Sequence, residues 1–311
     1  HRSRRIIPDA LFLIQTGLSR RETGAATKST NNSPFLPPHC LIQTGVTAMT
    51  TVHTLASGSA GNAVLISWAE GYLLVDAGIS CKRILEELHS LDVQPGDLSG
   101  ILITHTHGDH VSGLQTLLKR TVCPVWTTPR AGRELLQHII GLETRLRETP
   151  LCEKTDVAGC TVTAVPTSHD APGSCGFRFD FPDGSVGLLT DTGFVTPEAE
   201  SILSGVSLAL LEANYDPETL RDGSYPYPLK RRILGPAGHL SNDDASAFAV
   251  ALARSGAGTI VLSHLSMQNN SPAMAWDAVW DALRAAGQKP VLAAAAPDHI
   301  CGPFSVGAEG Q

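Results

Sequence analysis

Apolar and polar residues follow two rhythms along this chain, one typical of short buried strands and the other typical of amphipathic helices. Short apolar runs such as 100–104 are separated by turns rich in Gly, Pro and Asp. Apolar residues recur at helical spacing after several of these runs, so we predict helices at 80–90 and 109–120. Strands and helices mixed in this way predict one α/β domain with two sheets over residues 49–296.

The two ends of the chain lack this pattern. Residues 1–48 are rich in Arg, Ser and Thr, and the pentapeptide Leu-Ile-Gln-Thr-Gly occurs in them twice, at 13–17 and 41–45. We predict that 1–48 is an upstream extension, disordered or not native to the folded domain; a transit-type peptide and a functional basic arm are the alternatives. The Gly-rich end, 297–311, is predicted to be a loose C-terminal tail.

Composition narrows the class of protein. With 311 residues, 42% hydrophobic and 17% charged, the chain has the make-up of a soluble globular protein, and no apolar run is long enough to predict a membrane span. A net charge of −7 argues against a generally basic nucleic-acid binder, although it leaves room for a local basic patch. The seven cysteines are odd in number and lack CxxC spacing, which favours reduced thiols and a cytoplasmic protein.

Four metal-capable side chains stand within six residues, directly after the apolar run 101–103. These side chains are His105, His107, Asp109 and His110. Imidazole and carboxylate groups together suit zinc, manganese or iron. The first two histidines alternate along extended chain and can converge on one ion, whereas the last two residues lie past the bend at Gly108 and can face a second ion.

Three further candidate ligands follow other predicted strands. His169, Asp191 and His264 are each the first strong metal ligand after an apolar strand. Ligands at strand ends can gather on one rim of the sheets, so we expect these three to join the histidine motif.

The ordered set of seven ligands resembles that of the metallo-β-lactamase superfamily. The resemblance implies a four-layer αββα sandwich with two divalent metal ions at the sheet edges. By position, it implies that metal one is held by His105, His107 and His169 and metal two by Asp109, His110 and His264. Asp191 would then bridge the two ions.

Two features narrow the branch of the superfamily. Asp191 stands where the commonest zinc β-lactamases carry a Cys ligand. A bridging carboxylate at this position is similar to the nuclease, phosphodiesterase and glyoxalase branches. The segments 56–62, 211–216, 238–242 and 263–270 resemble the YycJ (WalJ) group of bacterial metal-dependent exonucleases.

The resemblance implies a dinuclear phosphodiesterase that uses zinc or manganese and acts on DNA as an exonuclease. The nucleophile would be a hydroxide bridging the metals, because a bound cation lowers the pKa of water. The main alternative is a thioester or lactone hydrolase of the glyoxalase II type, and a non-catalytic binding protein is a third hypothesis.

His239 is the candidate for a second catalytic residue beside Asp191. It precedes a predicted helix N-terminus, a natural phosphate site, where it could contact the scissile phosphate or protonate the leaving oxygen. The alternative is a structural histidine that closes a turn.

A basic run and two tyrosines are candidates for substrate binding. Lys230, Arg231 and Arg232 form the only three-residue basic run in the predicted domain, and they could track a nucleic-acid backbone or simply form a solvated helix face. Tyr225 and Tyr227 could stack on bases, or they could belong to a rigid packed loop.

Overall fold

Two mixed β-sheets of seven strands each form the centre of the protein. The computed structural model describes residues 49–307. The first sheet has the strand order β14-β1-β2-β3-β4-β5-β6, and the second has the order β13-β12-β11-β10-β9-β8-β7. The strands are β1 Thr51–Ala56, β2 Ala63–Trp68, β3 Gly71–Val75, β4 Leu98–Leu102, β5 Val125–Thr127, β6 Leu146–Glu148, β7 Lys154–Val157, β8 Cys160–Pro166, β9 Cys175–Phe181, β10 Gly184–Leu189, β11 Leu208–Glu212, β12 Thr259–Ser263, β13 Val291–Ala294 and β14 Cys301–Ser305.

Helices connect the strands and cover the outer faces of both sheets. Several of them begin with Pro in the first turn behind a Ser, Thr or Asp cap, which satisfies helix N-terminal N–H groups. The helices are α1 Cys81–Ser90, α2 Gly108–Val111, α3 Leu114–Leu117, α4 Pro129–His138, α5 Pro197–Leu203, α6 Pro217–Asp222, α7 Tyr227–Ile233, α8 Asn242–Ser255 and α9 Pro272–Ala285.

Three separate apolar cores hold the layers together. The side chains of Ile66 and Phe177 belong to the core between the two sheets. On the other face of the first sheet, residues such as Leu65 pack in a core with α1, α3 and α4, and the second sheet packs in the same way on α5, α8 and α9. Alternate residues of β2 therefore enter different cores, as the two-residue period of a strand requires. This arrangement confirms the predicted αββα sandwich.

The prediction of a loose C-terminal tail at 297–311 was wrong for the residues up to 307 that the structure describes. Residues Cys301–Ser305 form β14, which pairs antiparallel with β1, and Thr51 lies opposite Ser305 in the ladder. Val306 is fully buried in the core between the sheets. The Gly-rich composition concealed a strand, because its residues alternate too weakly to show a period. The predicted extension, 1–48, lies outside the described residues.

The predicted helix at 109–120 is interrupted. It forms as two single turns, α2 and α3, because the chain at Gly113 packs against the loop after β3. A Cβ at Gly113 would lie 2.1 Å from the carbonyl oxygen of Ile79, so only glycine fits there. Two short strands, β6 and β7, and helix α6 were not predicted, since segments of three to six residues carry no readable period.

Two further findings bear on the expectations from composition. The six cysteines within 49–307 are free thiols. Among the residues that the structure describes, no helix is long and apolar enough to cross a membrane.

Candidate metal centre

The candidate ligands are brought together at one rim of the sandwich, where strands of both sheets end. Asp191 follows β10, and His264 comes directly after β12. Both residues have left-handed backbone conformations, with φ of 55° and 54°. Such conformations are uncommon for residues other than glycine and cluster at functional sites. The backbone at these strand ends is therefore shaped to position two side chains at the rim.

The first ligand group consists of His105, His107 and His169. One nitrogen from each ring lies within 4.8 Å of the others. Nε2 of His169 lies 3.2 Å from Nδ1 of His107. His169 donates its Nδ1–H to the carbonyl oxygen of Gly238 at 2.9 Å, which leaves Nε2 free to bind a cation.

The second ligand group consists of Asp109, His110 and His264. The Nε2 atoms of both histidines lie 3.5 Å from Oδ2 of Asp109. The ring of His110 is fully buried, whereas Asp109 is partly exposed. This group is mixed in chemistry, with one carboxylate and two imidazoles, while the first group is entirely imidazole.

Asp191 lies between the two groups. Its Oδ2 is 3.2 Å from Nε2 of His110, and its Oδ1 is 3.6 Å from Nε2 of His169 and 3.7 Å from Nε2 of His264. Each carboxylate oxygen thus faces ligand nitrogens, and the whole residue is buried. One carboxylate in this position could contact two cations at once.

The residues of this site fit divalent metal ions. His105 is almost completely buried, and its Nε2 has no hydrogen-bond partner among the described residues. A buried polar atom without a partner is costly, and a bound cation would satisfy it. Neutral imidazole and carboxylate ligands suit zinc and manganese. All seven ligands predicted from the sequence belong to these clusters.

Asp76 supports the second group and was missed in the sequence. It follows β3, also with a left-handed backbone, at φ 62°. Nδ1 of His110 donates to its Oδ2 at 2.7 Å, and the backbone N–H of Thr104 donates to its Oδ1 at 2.8 Å. The signal was present, because Asp76 is the first charged residue after an apolar strand, as Asp191 and His264 are.

Glu212 is the second supporting residue that the sequence analysis did not single out. Its side chain is fully buried at the end of β11, and Oε1 accepts from Nδ1 of His239 at 2.8 Å and from Nδ1 of His264 at 3.0 Å. Oε2 accepts the backbone N–H of Thr192 at 2.9 Å. One carboxylate therefore orients a candidate ligand and the candidate catalytic histidine together.

The histidine pKa values shift in opposite directions in the two groups: they are raised in the second group and lowered in the first. Burial alone would lower the pKa of His264, but Asp191, Asp109 and Glu212 outweigh burial and raise this pKa to about 10. The pKa of His110 is raised in the same way by Asp76 and Asp191 against the effect of burial.

In the first group, burial dominates. It lowers the pKa of His105, and neighbouring histidines lower it further. Burial likewise lowers the pKa of His169, although Asp191 opposes it. These two rings are therefore neutral in the metal-free protein, whereas those of the second group hold protons.

The basic run does not act as a unit. Arg232 lines the cavity at the metal centre and donates to both oxygens of Asp170, through Nε at 2.6 Å and Nη2 at 3.0 Å. This bond lowers the pKa of the Asp170 carboxyl, which stays ionised. In contrast, Lys230 donates to the carbonyl of Arg221, and the guanidinium of Arg231 lies 6.0 Å from the ring centre of Tyr227.

A cavity of about 220 Å³ opens over the metal centre. Its floor includes ligands from both groups together with His239. One wall is apolar and comes from the segment between β11 and α8. The residues that form this wall are Tyr225, Leu229 and Ile233.

Comparison with known proteins agrees with the fold and the ligand pattern. A family model described as a beta-lactamase superfamily domain matches residues 72–265. Exodeoxyribonuclease WalJ of Streptococcus pneumoniae serotype 2 (strain D39 / NCTC 7466) is 36% identical over 219 residues, 70% of this chain and 81% of that protein. Exodeoxyribonuclease YycJ of Bacillus anthracis is 34% identical over 229 residues, 71% of this chain and 84% of that protein.

A solved structure shows the same fold at lower identity. Zn(2+)-bound PqqB from Methylobacterium extorquens superposes with a TM-score of 0.62 and 15% identity, over 81% of this chain and 99% of that one. The chain belongs to the metallo-β-lactamase superfamily, in the group that contains WalJ and YycJ. The superfamily uses divalent metals, and this chain retains His and Asp clusters that could hold them.

Proposed function

We propose that this protein is a dinuclear metal-dependent phosphodiesterase that degrades DNA as an exonuclease. The observation that carries the proposal is the meeting of two ligand groups at one buried carboxylate, Asp191, with His239 in the same cavity. The relatives named exodeoxyribonucleases, similar over most of the chain, support DNA as the substrate.

Two divalent ions, zinc or manganese, are the cofactors in this proposal. His105, His107 and His169 would hold one ion, and Asp109, His110 and His264 would hold the other. Bound there, the ions would neutralise the charge of a phosphodiester and lower the pKa of an attacking water. The three histidines of the first group and the mixed second group offer the imidazole and carboxylate ligands that both metals accept.

Asp191 has two tasks in the proposed reaction. Burial would raise its pKa, but His264 and His110 lower it, so the carboxylate stays ionised at neutral pH. An ionised carboxylate between the two groups fixes their separation. It also accepts a hydrogen bond from the attacking water and thereby orients the water toward the phosphorus.

His239 is the proposed proton donor to the leaving oxygen. Its Nδ1 donates to Oε1 of Glu212, which leaves Nε2 to face the cavity. Burial would raise the pKa of Glu212, but His239 and His264 lower it, so this carboxylate stays ionised. The bond to Glu212 fixes the orientation of the ring, so that Nε2 is placed to pass a proton to the leaving oxygen.

Arg232 is the proposed phosphate contact at the mouth of the cavity. Its bidentate bond with Asp170 aims the guanidinium, and about half of its side chain remains exposed. Arginine binds phosphate oxygens in the same two-pronged geometry. Lys230 and Arg231 lie on the same helix and are proposed to add positive charge along the path of the DNA backbone.

A thioester or lactone substrate is less favoured. The same metal centre could attack an acyl carbon, but the thiolate of a thioester leaves readily and needs no proton donor such as His239. The alkoxide of a lactone would use a proton donor, but neither substrate needs a phosphate contact such as Arg232. The relatives that cover most of this chain are named for DNA.

End-labelled linear DNA tests the proposal. Purified protein with zinc or manganese should release nucleotides from a labelled end and should leave a covalently closed circle intact. The His239→Asn variant should lose about 10²–10⁴-fold in kcat, the usual size of general-acid catalysis. Cleavage of the closed circle at the same rate would reject the exonuclease assignment. Hydrolysis of a thioester panel with no DNA degradation would favour the alternative.

A further inference from the structure

The helical segment over the metal centre has a small apolar cluster of its own. Helices α6 and α7 and the loop between them pack through the buried side chains of Tyr215, Leu220 and Ile233. Tyr225 and Leu229 pack against this cluster but remain partly exposed. These side chains belong to none of the three large cores, so they form a separate support for the wall of the cavity.

The apolar wall of the cavity lies across from the charged and polar residues of the metal centre. Tyr225, Leu229 and Ile233 line the same cavity as Asp109, Asp191 and the other charged groups of the metal centre. A ligand that fills the cavity therefore needs one charged end that binds at the metals and one flat apolar part that packs on the wall. A nucleotide has both, with its phosphate at one end and its base at the other.

The size of the cavity limits how much of a nucleic acid can enter. At about 220 Å³ it is smaller than the roughly 300–1,000 Å³ typical of ligand pockets. We infer that a space of this size takes one unstacked base in preference to a base pair. A base that enters such a pocket must first leave the stack, as it does in enzymes that flip a nucleotide out of a duplex.

We propose that the wall formed by Tyr225, Leu229 and Ile233 binds the base of the terminal DNA nucleotide, with the Tyr225 ring stacked on it. This inference rests on the proposed exonuclease function and adds that the substrate end must be unpaired. Because every base presents a flat aromatic face, the subsite does not select among the four bases.

The two neighbouring tyrosines provide a matched pair for the test. Tyr225 lines the cavity, whereas Tyr227, the first residue of α7, is 72% exposed and lies beside Arg231. Tyr225→Leu keeps apolar packing and removes the ring. Tyr227→Leu makes the same chemical change outside the cavity, and Tyr225→Phe keeps the ring.

The experiment compares single-stranded oligonucleotides that differ only in whether the terminal nucleotide carries a base. Each oligonucleotide has a normal or an abasic nucleotide at its 5′ or its 3′ end, and kcat and KM are measured with manganese. Wild type should show kcat/KM on the order of ten-fold lower for the abasic nucleotide at the end from which it degrades. Tyr225→Leu should treat both oligonucleotides alike, while Tyr227→Leu and Tyr225→Phe should discriminate as wild type does.

Each outcome decides a separate question. Equal rates for wild type on normal and abasic ends would overturn the base subsite, whatever the variants do or however they fold. If a folded Tyr225→Leu variant discriminates between normal and abasic ends as wild type does, Tyr225 is not part of the base subsite. If wild type degrades no DNA with any divalent metal, the proposed function itself fails and takes the subsite with it. A duplex with a terminal mismatch should also be degraded faster than a blunt, paired one, and equal rates would contradict the need for an unpaired end.

Discussion

The two halves of the metal centre are built differently. In the second group, each histidine donates from Nδ1 to a buried carboxylate, His110 to Asp76 and His264 to Glu212. In the first group, the corresponding partners are weaker. His105 contacts the hydroxyl of Thr104, and His169 donates to a backbone carbonyl.

The difference predicts unequal affinity for metal. A carboxylate behind a histidine makes the ring a stronger ligand, and the carboxylate of Asp109 adds negative charge directly to the second group. We therefore expect the second group to bind its ion first and to release it last. The same negative charge holds protons on His110 and His264 when metal is absent, so binding of an ion to this group must release those protons.

Removal of the shared carboxylate should have the largest effect, because Asp191 is the one residue that lies against both halves. Asp191→Ala should lose the second equivalent of metal and about a thousand-fold or more in kcat/KM, since several kcal/mol of transition-state stabilisation depend on the paired ions. Metal analysis and the end-labelled DNA assay measure the two effects. Asp281→Ala, which removes an exposed carboxylate from α9, is the matched control. Wild-type turnover by Asp191→Ala would exclude the bridging role.

Substitution of the carboxylates that support the histidines should affect the metal affinity of the two halves differently. Asp76→Asn should weaken binding of the more tightly held ion by about 10–100-fold, the usual cost of losing such a partner. Asp170→Asn should change that affinity little, because Asp170 is partly exposed and lies near His107 and His169 of the first group. Competition with a chromophoric chelator measures both constants. An equal loss in the two variants would argue that the halves are not distinct.

The stability of the metal-free protein should depend on pH through the second group. The folded-state pKa of His264 is raised from 6.5 to about 10, so its contribution is complete below pH 6.5 and is lost as pH rises toward 10. In excess chelator, Tm should therefore fall between pH 7 and 10, by about 2–4 °C for each kcal/mol lost. His264→Gln should flatten this slope, whereas a change at the exposed His138 should not. A Tm that rises over this range would contradict the assignment of protons to the second group.

The smallest expected effect concerns the mouth of the cavity. Arg232→Ala should raise KM for DNA several-fold and leave kcat nearly unchanged, because one exposed phosphate contact is lost. The salt dependence of KM should become shallower by about one counterion. Arg284→Ala removes an arginine from a comparable exposed pair on α9 and should leave KM unaltered. A fall in kcat alone would place Arg232 in the chemical step instead.

The sequence indicated the candidate ligands, which the structure brings together, better than the residues that support them. The seven candidate ligands stood out because histidine and aspartate directly after apolar runs are easy to recognise. Asp76 and Glu212 follow or end such runs too, but a single acid resembles an ordinary solvated turn. Their burial depends on the packing of other strands, which no local pattern records. The sequence also could not show that the three residues of the basic run have different environments. Only the orientation of α7 places Arg232 at the cavity.

Crystals of metal-free protein soaked with manganese or zinc, first at one equivalent and then in excess, provide the most direct test of the asymmetric two-metal centre. Anomalous scattering locates each ion. The account predicts one peak among Asp109, His110 and His264 at one equivalent, and a second peak among His105, His107 and His169 in excess, with Asp191 contacting both. A first peak among the three histidines of the first group, or a single peak at every concentration, would contradict it.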